Sequence, residues 1–409
     1  MSTEPETERD AEPSAPEAAS ADLRLSAKAA GFARRGHVWF YRDDVEAGEL
    51  LPPRLVRVRD EAGRDLGLGC TSASKLALRL SGPWPGDAVP DREAFFHARL
   101  LAAFERRAGL LGPTDGARFV HGEGDGLPGL VLDRYGPALV LQATSAAVED
   151  ALDAIVPFAA QRLGAETVIA RHDVAARRHE GLPQEVRLLH GRRLEQTSIV
   201  EHGVRHTVRL FAGHKTGFYL DQRPARLLVQ ELGKGRRMLD LFSYQGAFAR
   251  NALKGGAAAA VAVDESAEAL QVAAADAAAD GLAGLTTQQA NVFDFVRAQR
   301  DANAQHDLIV LDPPAFAKSR REVEGAMRGY RDLNRQALRL LAPHGFLVTC
   351  TCSHHVTLPR FEEIVRQAAA GLPFRVLLRR RLGAGPDHPV SITHAESEYL
   401  KVLVLQRQD

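Results

Sequence analysis

Hydrophobic and polar positions follow three successive patterns along the chain, and each predicts a different kind of structure. In the first part, apolar residues occur in short runs such as HVWFY, RLVRVRD and LALRL, which glycine and proline separate. Short runs bounded by turn residues are typical of strands. We therefore predict a small β-rich domain over residues 22–95, followed at AFFHARLLAAFERRAGLLG by a helix that Gly109 and Gly112 end.

The second part of the chain, residues 96–200, mixes strand patterns with one longer helical pattern. A helix is predicted from Ala146 to Leu163 between strands, and SIVEHGVRHTVRLF predicts a hairpin that turns at HG. The glycine-rich stretch HGEGDG precedes no helical pattern, so we interpret it as a turn rather than a phosphate-binding loop. A central α+β domain follows from this mixture.

From about Gly233 onward, apolar strands alternate with helices. The strands are RRMLDLF, AAVAVD, HDLIVLDPP and HGFLVTCTCS, and Ser266 is placed to cap the helix SAEALQVAAADAAADGL. This alternation predicts an α/β domain over residues 201–409 with a parallel sheet covered on both faces. Ligands bind such sheets at the carboxyl ends of the strands, so we expect the chemistry at that edge.

Composition narrows the class of protein. An apolar content of 45% and a charged content of 25% are typical of a soluble globular protein. Three cysteines do not make a disulfide framework, so we expect a reducing cytoplasm, with no signal sequence or membrane span. Residues 1–20 hold six acids and one base, and residues 1–21 are predicted to be a disordered tail. The positive remainder is compatible with a polyanion as partner.

Acids stand at the ends of the first two strands of the α/β domain. Asp240 closes the first strand, Asp264 closes the second, and Gly246 allows a tight turn between them. A dinucleotide would require the spacing G-x-G-x-x-G to admit its pyrophosphate, whereas this loop holds a single glycine. The pattern favours a smaller adenosine cofactor, with Asp264 facing ribose hydroxyls. A helix-capping role is the alternative for Asp240.

This spacing resembles that of the class I methyltransferases, which have a Rossmann-like fold and use S-adenosylmethionine. The resemblance implies that Asp240 and the following loop contact the amino-acid part of the cofactor, and that Asp264 contacts its ribose. Asn291 stands where that family usually has an acid facing the adenine amino group. The loop residues concerned are Phe242, Ser243, Tyr244 and Gly246.

Two later strand ends carry residues suited to chemistry on a base. Asp312 begins the rigid turn LDPP, where an acid can hydrogen-bond a ring nitrogen. Cys350 and Cys352 point to the same face of the last strand, with Cys352 in the ligand crevice and Cys350 one step deeper as a packing residue. A thiolate that adds to carbon 6 of a pyrimidine makes carbon 5 nucleophilic, so Cys352 fits covalent methylation at carbon 5. We expect no metal, because the chain offers no C-x-x-C.

Five motifs in order resemble the RlmI-type bacterial ribosomal RNA methyltransferases, which form 5-methylcytosine in the large-subunit RNA: HKTGFYLDQR, LDLFSYQGAFA, VDESAEAL, LDPPAFAKS and CTCSHHV. The resemblance extends from Asp22 over nearly the whole chain and implies that the N-terminal domain is an RNA-binding PUA domain. It implies that Cys352 is the nucleophile, that Asp312 recognises the base beside the cofactor, and that Gln222 lies near the cofactor. Candidate RNA contacts are Lys215, Lys318, Arg34, Arg35, His37 and Trp39, although Trp39 fits the core of the barrel equally well.

Other interpretations stay open. A methyltransferase of the same fold acting on a guanine nitrogen of RNA would leave Cys352 without a chemical role. A non-catalytic RNA-binding assembly factor would keep the cofactor pocket without turnover. Large-subunit ribosomal RNA is the expected partner, and the oligomeric state is left open, with a homodimer as one option.

Overall fold

A computed structural model describes residues 22–50, 52–109, 114–316, 322–394 and 397–409. The predicted acidic tail and Lys318 lie outside the described residues. Within these ranges, no helix is long and apolar enough to cross a lipid bilayer.

The N-terminal unit is rich in short strands, as predicted. Its six-stranded sheet has the order β2-β6-β5-β4-β1-β3, with β1 parallel to β4 and the other pairs antiparallel. The helix begins at Ser26, whose side chain accepts a hydrogen bond from the Ala29 backbone. The elements are β1 Asp22–Leu25, α1 Ala27–Arg34, β2 Trp39–Phe40, β3 Val45–Ala47, β4 Leu55–Arg59, β5 Asp65–Thr71 and β6 Leu78–Gly82.

The central unit packs helices against a five-stranded sheet of order β11-β10-β9-β8-β7. Its elements are α2 Arg92–Arg107, β7 Gly116–His121, β8 Leu130–Tyr135, β9 Ala138–Ala143, α3 Ala146–Asp150, α4 Leu152–Leu163, β10 Thr167–Arg171 and β11 Val186–Gly191. The predicted boundary between residues 95 and 96 falls inside α2. Phe95, Phe96 and Leu100 are buried in the core of the central unit, so the whole helix packs there and the boundary lies before Arg92.

The glycine-rich stretch HGEGDG forms a turn, as predicted, and the turn is a short 3-10 helix, Gly122–Asp125. The buried carboxylate of Asp125 accepts hydrogen bonds of 2.6 Å from both terminal nitrogens of Arg107. This acid therefore serves an internal ion pair.

A two-stranded hairpin joins the central unit to the C-terminal unit. It consists of β12 Gln196–Glu201 and β13 Val204–Arg209 and turns at His202 and Gly203, which confirms the predicted HG turn. β12 contacts β7 and β8 of the central unit. The predicted boundary between residues 200 and 201 therefore cuts a strand, because cross-strand pairing holds the hairpin together as one piece.

The C-terminal unit is the predicted α/β sheet, with strand order β16-β15-β14-β17-β18-β20-β19. The first five strands are parallel, whereas β20 runs antiparallel to β18 and β19. The elements are α5 Arg223–Leu232, β14 Arg237–Leu241, α6 Ala247–Lys254, β15 Ala259–Asp264, α7 Ala267–Ala279, β16 Leu285–Gln289, α8 Val292–Asp301, β17 His306–Leu311, α9 Val323–Arg339, β18 Leu341–Thr351, α10 Leu358–Ala369, β19 Arg375–Leu382 and β20 Lys401–Gln408.

Alternation along the central strands buries both faces of this sheet. In β14, Met238 packs with α5 and α6 on one face, whereas Leu239 and Leu241 pack with α8 and α9 on the other. The strand order reverses between β14 and β17, and the loops after these two strands diverge to opposite faces. A crevice for a ligand is expected at this point, at the carboxyl ends of the strands.

Candidate active site

A cleft of about 660 Å³ lies at the carboxyl edge of the sheet. It brings together residues that the sequence places far apart, and they come from the loop before α5 and from the ends of β14, β15, β16, β17 and β18. The predicted site residues that line it are Lys215, Gln222, Phe242, Ser243, Tyr244, Asp264, Asn291, Asp312 and Cys352.

The loop after β14 is wound tightly around the carboxyl end of its strand. Phe242, Tyr244 and Gly246 have φ angles of 60°, 47° and 63°, in the left-handed region. The Ser243 amide donates to Val263, and the Tyr244 amide donates to Asp264 Oδ2 at 2.8 Å. These bonds tie the loop to the neighbouring strand β15 and explain how two non-glycine residues are held in a costly conformation.

Asp240 both caps a helix and leaves an oxygen for a ligand. Its side chain is fully buried, and Oδ2 accepts a hydrogen bond of 3.0 Å from the Ala249 amide at the start of α6. Oδ1 has no partner in the part of the chain that the structure describes. Burial raises the pKa of this carboxyl to about 8, with smaller contributions from the acids Asp312 and Asp264.

This unpartnered oxygen shows whether the residues at the end of β14 and after it can bind the amino-acid part of an adenosine cofactor. Ser243 Oγ, in the loop that follows β14, is also buried without a partner among the described residues, and Ser243 lines the cleft, whereas Asp240 is not among the lining residues. A buried acceptor and a buried hydroxyl suit the ammonium and carboxylate groups of an amino acid, because each would otherwise stay unsatisfied. The predicted loop residues therefore fit such a group.

The far end of the cleft contains Asp264 and Asn291. Asp264 accepts from the Ser266 amide as well as from Tyr244, which leaves further lone pairs for a ribose. Asn291 Oδ1 accepts from the Phe293 and Asp294 amides, and its Nδ2 donates to Glu265 Oε1 at 2.7 Å. Asn291 therefore caps α8. To contact an adenine amino group as predicted, its Oδ1 would have to accept a third hydrogen bond besides those from the two backbone amides.

Asp312 lies at the end of β17, opposite the loop before α5. Gln222 Nε2 donates a hydrogen bond of 2.9 Å to Asp312 Oδ2. Burial, and then the negative charge of Asp221, raise the pKa of Asp312 to about 7. At neutral pH this carboxyl therefore has a substantial protonated fraction that can donate a hydrogen bond.

The two close thiols occupy different environments. Cys350 in β18 is fully buried in the apolar core with Val348 and Val402, which makes it a packing residue. Cys352 follows β18, is partly exposed and lines the cleft. Burial raises the pKa of the Cys352 thiol, Asp312 raises it further, and Lys215 opposes this shift.

Comparisons with known proteins agree with this geometry. The family described as S-adenosylmethionine-dependent methyltransferase matches residues 141–401, and a PUA-like domain family matches residues 23–81. Ribosomal RNA large subunit methyltransferase I of Photobacterium profundum is 36% identical over 378 residues, covering 90% of this chain and 94% of the relative. A ribosomal RNA large subunit methyltransferase of Deinococcus radiodurans is 38% identical over 401 residues, covering 94% and 97%. The chain belongs to this family of methyltransferases.

Solved structures agree on the fold. The crystal structure of SMU.776, a methyltransferase complexed with SAH, has a TM-score of 0.81 at 24% identity and covers 94% of this chain and 99% of that one. A SAM-dependent methyltransferase from Streptococcus mutans has a TM-score of 0.79 with the same coverage. The cofactor of this methyltransferase is S-adenosylmethionine, and its N-terminal unit is a PUA-like domain.

The PUA-like domain contains four of the predicted RNA contacts, Arg34, Arg35, His37 and Trp39, and several of them have partners within the protein. Arg34 forms ion pairs with Asp60 and Glu61, and the Arg35 guanidinium lies 4.7 Å from the centre of the Phe32 ring. These interactions hold both arginines, and their contact with RNA remains a prediction.

Two aromatic candidates face the C-terminal unit. The indole nitrogen of Trp39 donates to Glu123 at 3.0 Å, and the Trp39 ring lies edge-to-face with His394 at 4.8 Å. His37 lies 6.3 Å from the same His394 ring. Trp39 is therefore a contact residue between units, a third role that the sequence did not indicate.

The structure adds site residues that sequence patterns did not single out. Asp221 and Tyr219 stand beside Gln222 in the motif FYLDQR, and Phe293 and Phe316 form an apolar wall. The signal for Asp221 was available, because it is an acid directly after the apolar run FYL and directly before a predicted site residue. The aromatic pair offered no such signal, since phenylalanines at these positions are equally typical of a core.

Proposed function

We propose that this methyltransferase forms 5-methylcytosine in large-subunit ribosomal RNA, with Cys352 as a covalent nucleophile. The observation that carries the proposal is that the Cys352 thiol lines the same cleft as Asp312 and the cofactor-binding loop. A nucleophile for carbon 6 must stand beside the methyl donor, because carbon 5 is the adjacent ring atom. The PUA-like domain and the names of the relatives support ribosomal RNA as the substrate.

The chemistry assigns one task to each residue. The Cys352 sulfur forms a bond to carbon 6 of the cytosine, and the ring electrons move towards carbon 5 and the nitrogen edge. S-adenosylmethionine supplies the methyl group that carbon 5 accepts. A base then takes the proton from carbon 5, and the sulfur–carbon bond breaks to restore the aromatic ring.

Asp312 is suited to the nitrogen edge. A protonated carboxyl can donate a hydrogen bond to nitrogen 3 of cytosine, which is an acceptor in the neutral base. The pKa of about 7 allows this protonation at neutral pH, and the Gln222 bond holds the carboxyl in position. Stabilising the negative charge that develops on the ring lowers the barrier to thiolate addition.

The decisive experiment compares the two close cysteines. Ribosomal RNA from a strain lacking this protein is incubated with S-adenosylmethionine and wild type, Cys352→Ala or Cys350→Ala, and the digested nucleosides are identified by mass spectrometry. We expect new 5-methylcytidine from wild type and from Cys350→Ala, and none from Cys352→Ala. Cys350→Ala is the matched control, because it removes the same thiol group as Cys352→Ala but from a fully buried position.

Other products would point to the other interpretations. A methylated guanosine formed by wild type and Cys352→Ala alike would show chemistry on a nitrogen, for which no thiol is needed. Cofactor binding without any methylated nucleoside on naked RNA or on ribosomal particles would favour an assembly factor.

A further inference from the structure

The charges around Cys352 are unusual for a nucleophilic thiol. Two carboxylates, Asp312 and Asp221, both raise the pKa of the thiol, and burial raises it most. A thiolate is the reacting form, so this setting by itself disfavours the nucleophile. Among the described residues, the ionisable groups that interact with the thiol include Asp312, Asp221, Lys215, Tyr219, Tyr330, Cys350 and Lys401.

Lys215 is a cation that two neighbours hold at the wall of the cleft. Its Nζ lies 3.5 Å from Asp221 Oδ2 and 4.5 Å from the centre of the Tyr219 ring. A carboxylate and an aromatic face both attract an ammonium group. The Lys215 side chain is 46% exposed, so it reaches open solution on one side and the cleft on the other.

The backbone on both sides of Lys215 is also anchored. Thr216 is buried and its hydroxyl donates to Asp133 Oδ2 at 2.5 Å. On the other side, the His214 ring stacks on Tyr244 of the cofactor loop, with ring centres 4.4 Å apart. Lys215 itself has a φ of 51°, a conformation that persists only where its surroundings impose it.

A second lysine near Cys352 is committed to the backbone. Lys401 is buried, and its Nζ donates to the carbonyl oxygens of Ser353 and Tyr399 at 3.3 Å and 3.2 Å. Burial lowers the pKa of Lys401, which makes its positive charge easier to lose. Its contacts position the chain that follows Cys352, whereas Lys215 lines the same cleft as the Cys352 thiol.

We propose that the ammonium of Lys215, held by Asp221 and Tyr219, stabilises the thiolate of Cys352 and thereby prepares it for attack. This inference rests on the proposed function, in which Cys352 is the nucleophile. In the step concerned, the S–H bond breaks, the proton passes to water in the open cleft, and the electron pair stays on sulfur. Lys215 transfers no proton. Its positive charge attracts the negative charge on the Cys352 sulfur.

The test is the pH dependence of thiol alkylation in the full-length protein without RNA. Iodoacetamide reacts with the thiolate, and mass spectrometry of the peptide containing Cys352 reports the modified fraction between pH 6 and 10. In Lys215→Gln we expect the midpoint to rise by about one pH unit, a roughly tenfold smaller thiolate fraction near neutrality. Lys215→Arg, which keeps the charge, should stay near wild type, and so should the exposed control Lys234→Gln.

Each opposite outcome overturns the proposal. An unchanged midpoint in Lys215→Gln would remove Lys215 from the ionisation, and an equal rise in Lys215→Arg would assign the effect to packing. If the alkylation midpoint rose in Lys401→Gln but not in Lys215→Gln, Lys401 would be the residue that stabilises the thiolate. Lys215→Met, with matching thermal unfolding, checks the result if Lys215→Gln unfolds.

The readout also separates this inference from the proposed function. Alkylation is measured without substrate, so a displaced midpoint together with absent 5-methylcytidine would reject the proposed reaction and keep the activation of the thiol. Formation of 5-methylcytidine by wild type together with an unmoved midpoint would reject the role of Lys215 alone.

Discussion

Gln222 and Asp312 are 90 positions apart in the chain, yet the carboxamide of one donates a 2.9 Å hydrogen bond to the carboxylate of the other. The bond joins the start of α5 to the end of β17, and both residues line the cleft. Asp312 also receives the charge effect of Asp221, the residue before Gln222. The motif FYLDQR therefore orients the acid in LDPP through Gln222, and through Asp221 it adds to the rise in pKa that burial causes.

The protonation of Asp312 predicts an unusual pH profile. Its carboxyl loses its proton near pH 7, whereas the pKa of the Cys352 thiol is raised, so the thiolate fraction increases with pH throughout the neutral range. The active enzyme has a protonated Asp312 and a Cys352 thiolate. The fraction of molecules with both forms rises with pH below pH 7 and then levels off. We expect kcat/KM for wild type to level off near pH 7.

Asp312→Asn removes the titrating carboxyl and supplies the comparison. We expect kcat/KM to fall by about 10²-fold or more, as for the loss of a hydrogen bond that stabilises charge in the transition state, and to keep rising above pH 7. The measurement is the initial rate of methyl transfer to a target RNA from pH 5.5 to 9. A plateau at the same pH in the variant would assign it to a different group.

Asp240 predicts that cofactor binding releases a proton. Its pKa of about 8 means that the carboxyl is mostly protonated at pH 7 in the free protein. A cationic ligand at its unpartnered oxygen favours the carboxylate, so affinity for S-adenosylmethionine should rise with pH from 6 towards 8. Calorimetry in buffers of different ionisation enthalpy measures the released proton directly.

The matched comparison for that prediction uses two variants. Asp240→Asn should bind more weakly and with no proton release from this site. Asp312→Asn keeps Asp240 and should retain most of the release. If Asp312→Asn abolished the release and Asp240→Asn kept it, the proton would belong to the base-recognising acid instead.

The sequence predicted those parts of the site that follow from strand order. Asp240 and Asp264 stand in the last two positions of their strands, and Asp312 and Cys352 directly follow theirs. The carboxyl ends of parallel strands share one edge of a sheet. From this rule, the sequence pattern alone predicts that these four residues lie close to one another. The same local logic predicted the Ser266 cap, because a helix start is decided within a few residues.

Contacts between distant side chains were not available from such patterns. The Trp39 bond to Glu123 joins positions 84 apart and depends on how two units pack, which periodicity does not describe. For Asn291, the sequence pattern did not determine the side-chain contacts even between residues close together in the chain. A polar residue at a strand end can cap the next helix or face a ligand, and only the structure shows that it caps α8.

The buried acid Glu201 predicts a large effect on stability. Its carboxylate is fully buried and accepts hydrogen bonds from Arg226 and Arg223, which fastens the hairpin to α5 just beyond Gln222. Glu201→Gln removes the carboxylate paired with the buried Arg226 and leaves Arg223 with Asp387 as its remaining acid, so we expect the free energy of unfolding to fall by about 3–5 kcal/mol. Urea unfolding followed by circular dichroism measures this. The exposed Glu195→Gln should change it by less than about 0.5 kcal/mol.

Gly246 predicts a coupled loss of stability and of cofactor affinity. Its φ is 63°, and a Cβ atom there would lie 3.1 Å from Ala273 Cβ. Alanine in the left-handed region costs about 1–2 kcal/mol, and the close contact adds to that cost. Because the Gly246 amide closes the cofactor loop by donating to the Ser243 carbonyl, Gly246→Ala should also weaken binding of S-adenosylmethionine.

Gly281 isolates the backbone part of this effect. Its φ of 65° matches that of Gly246, but a Cβ atom there meets no described heavy atom within 4 Å, and the residue follows α7 outside the cleft lining. Gly281→Ala should therefore lower the unfolding free energy by the conformational cost alone and leave cofactor affinity at the wild-type value. Equal losses of affinity in the two variants would mean that general destabilisation, rather than the closed loop, controls binding.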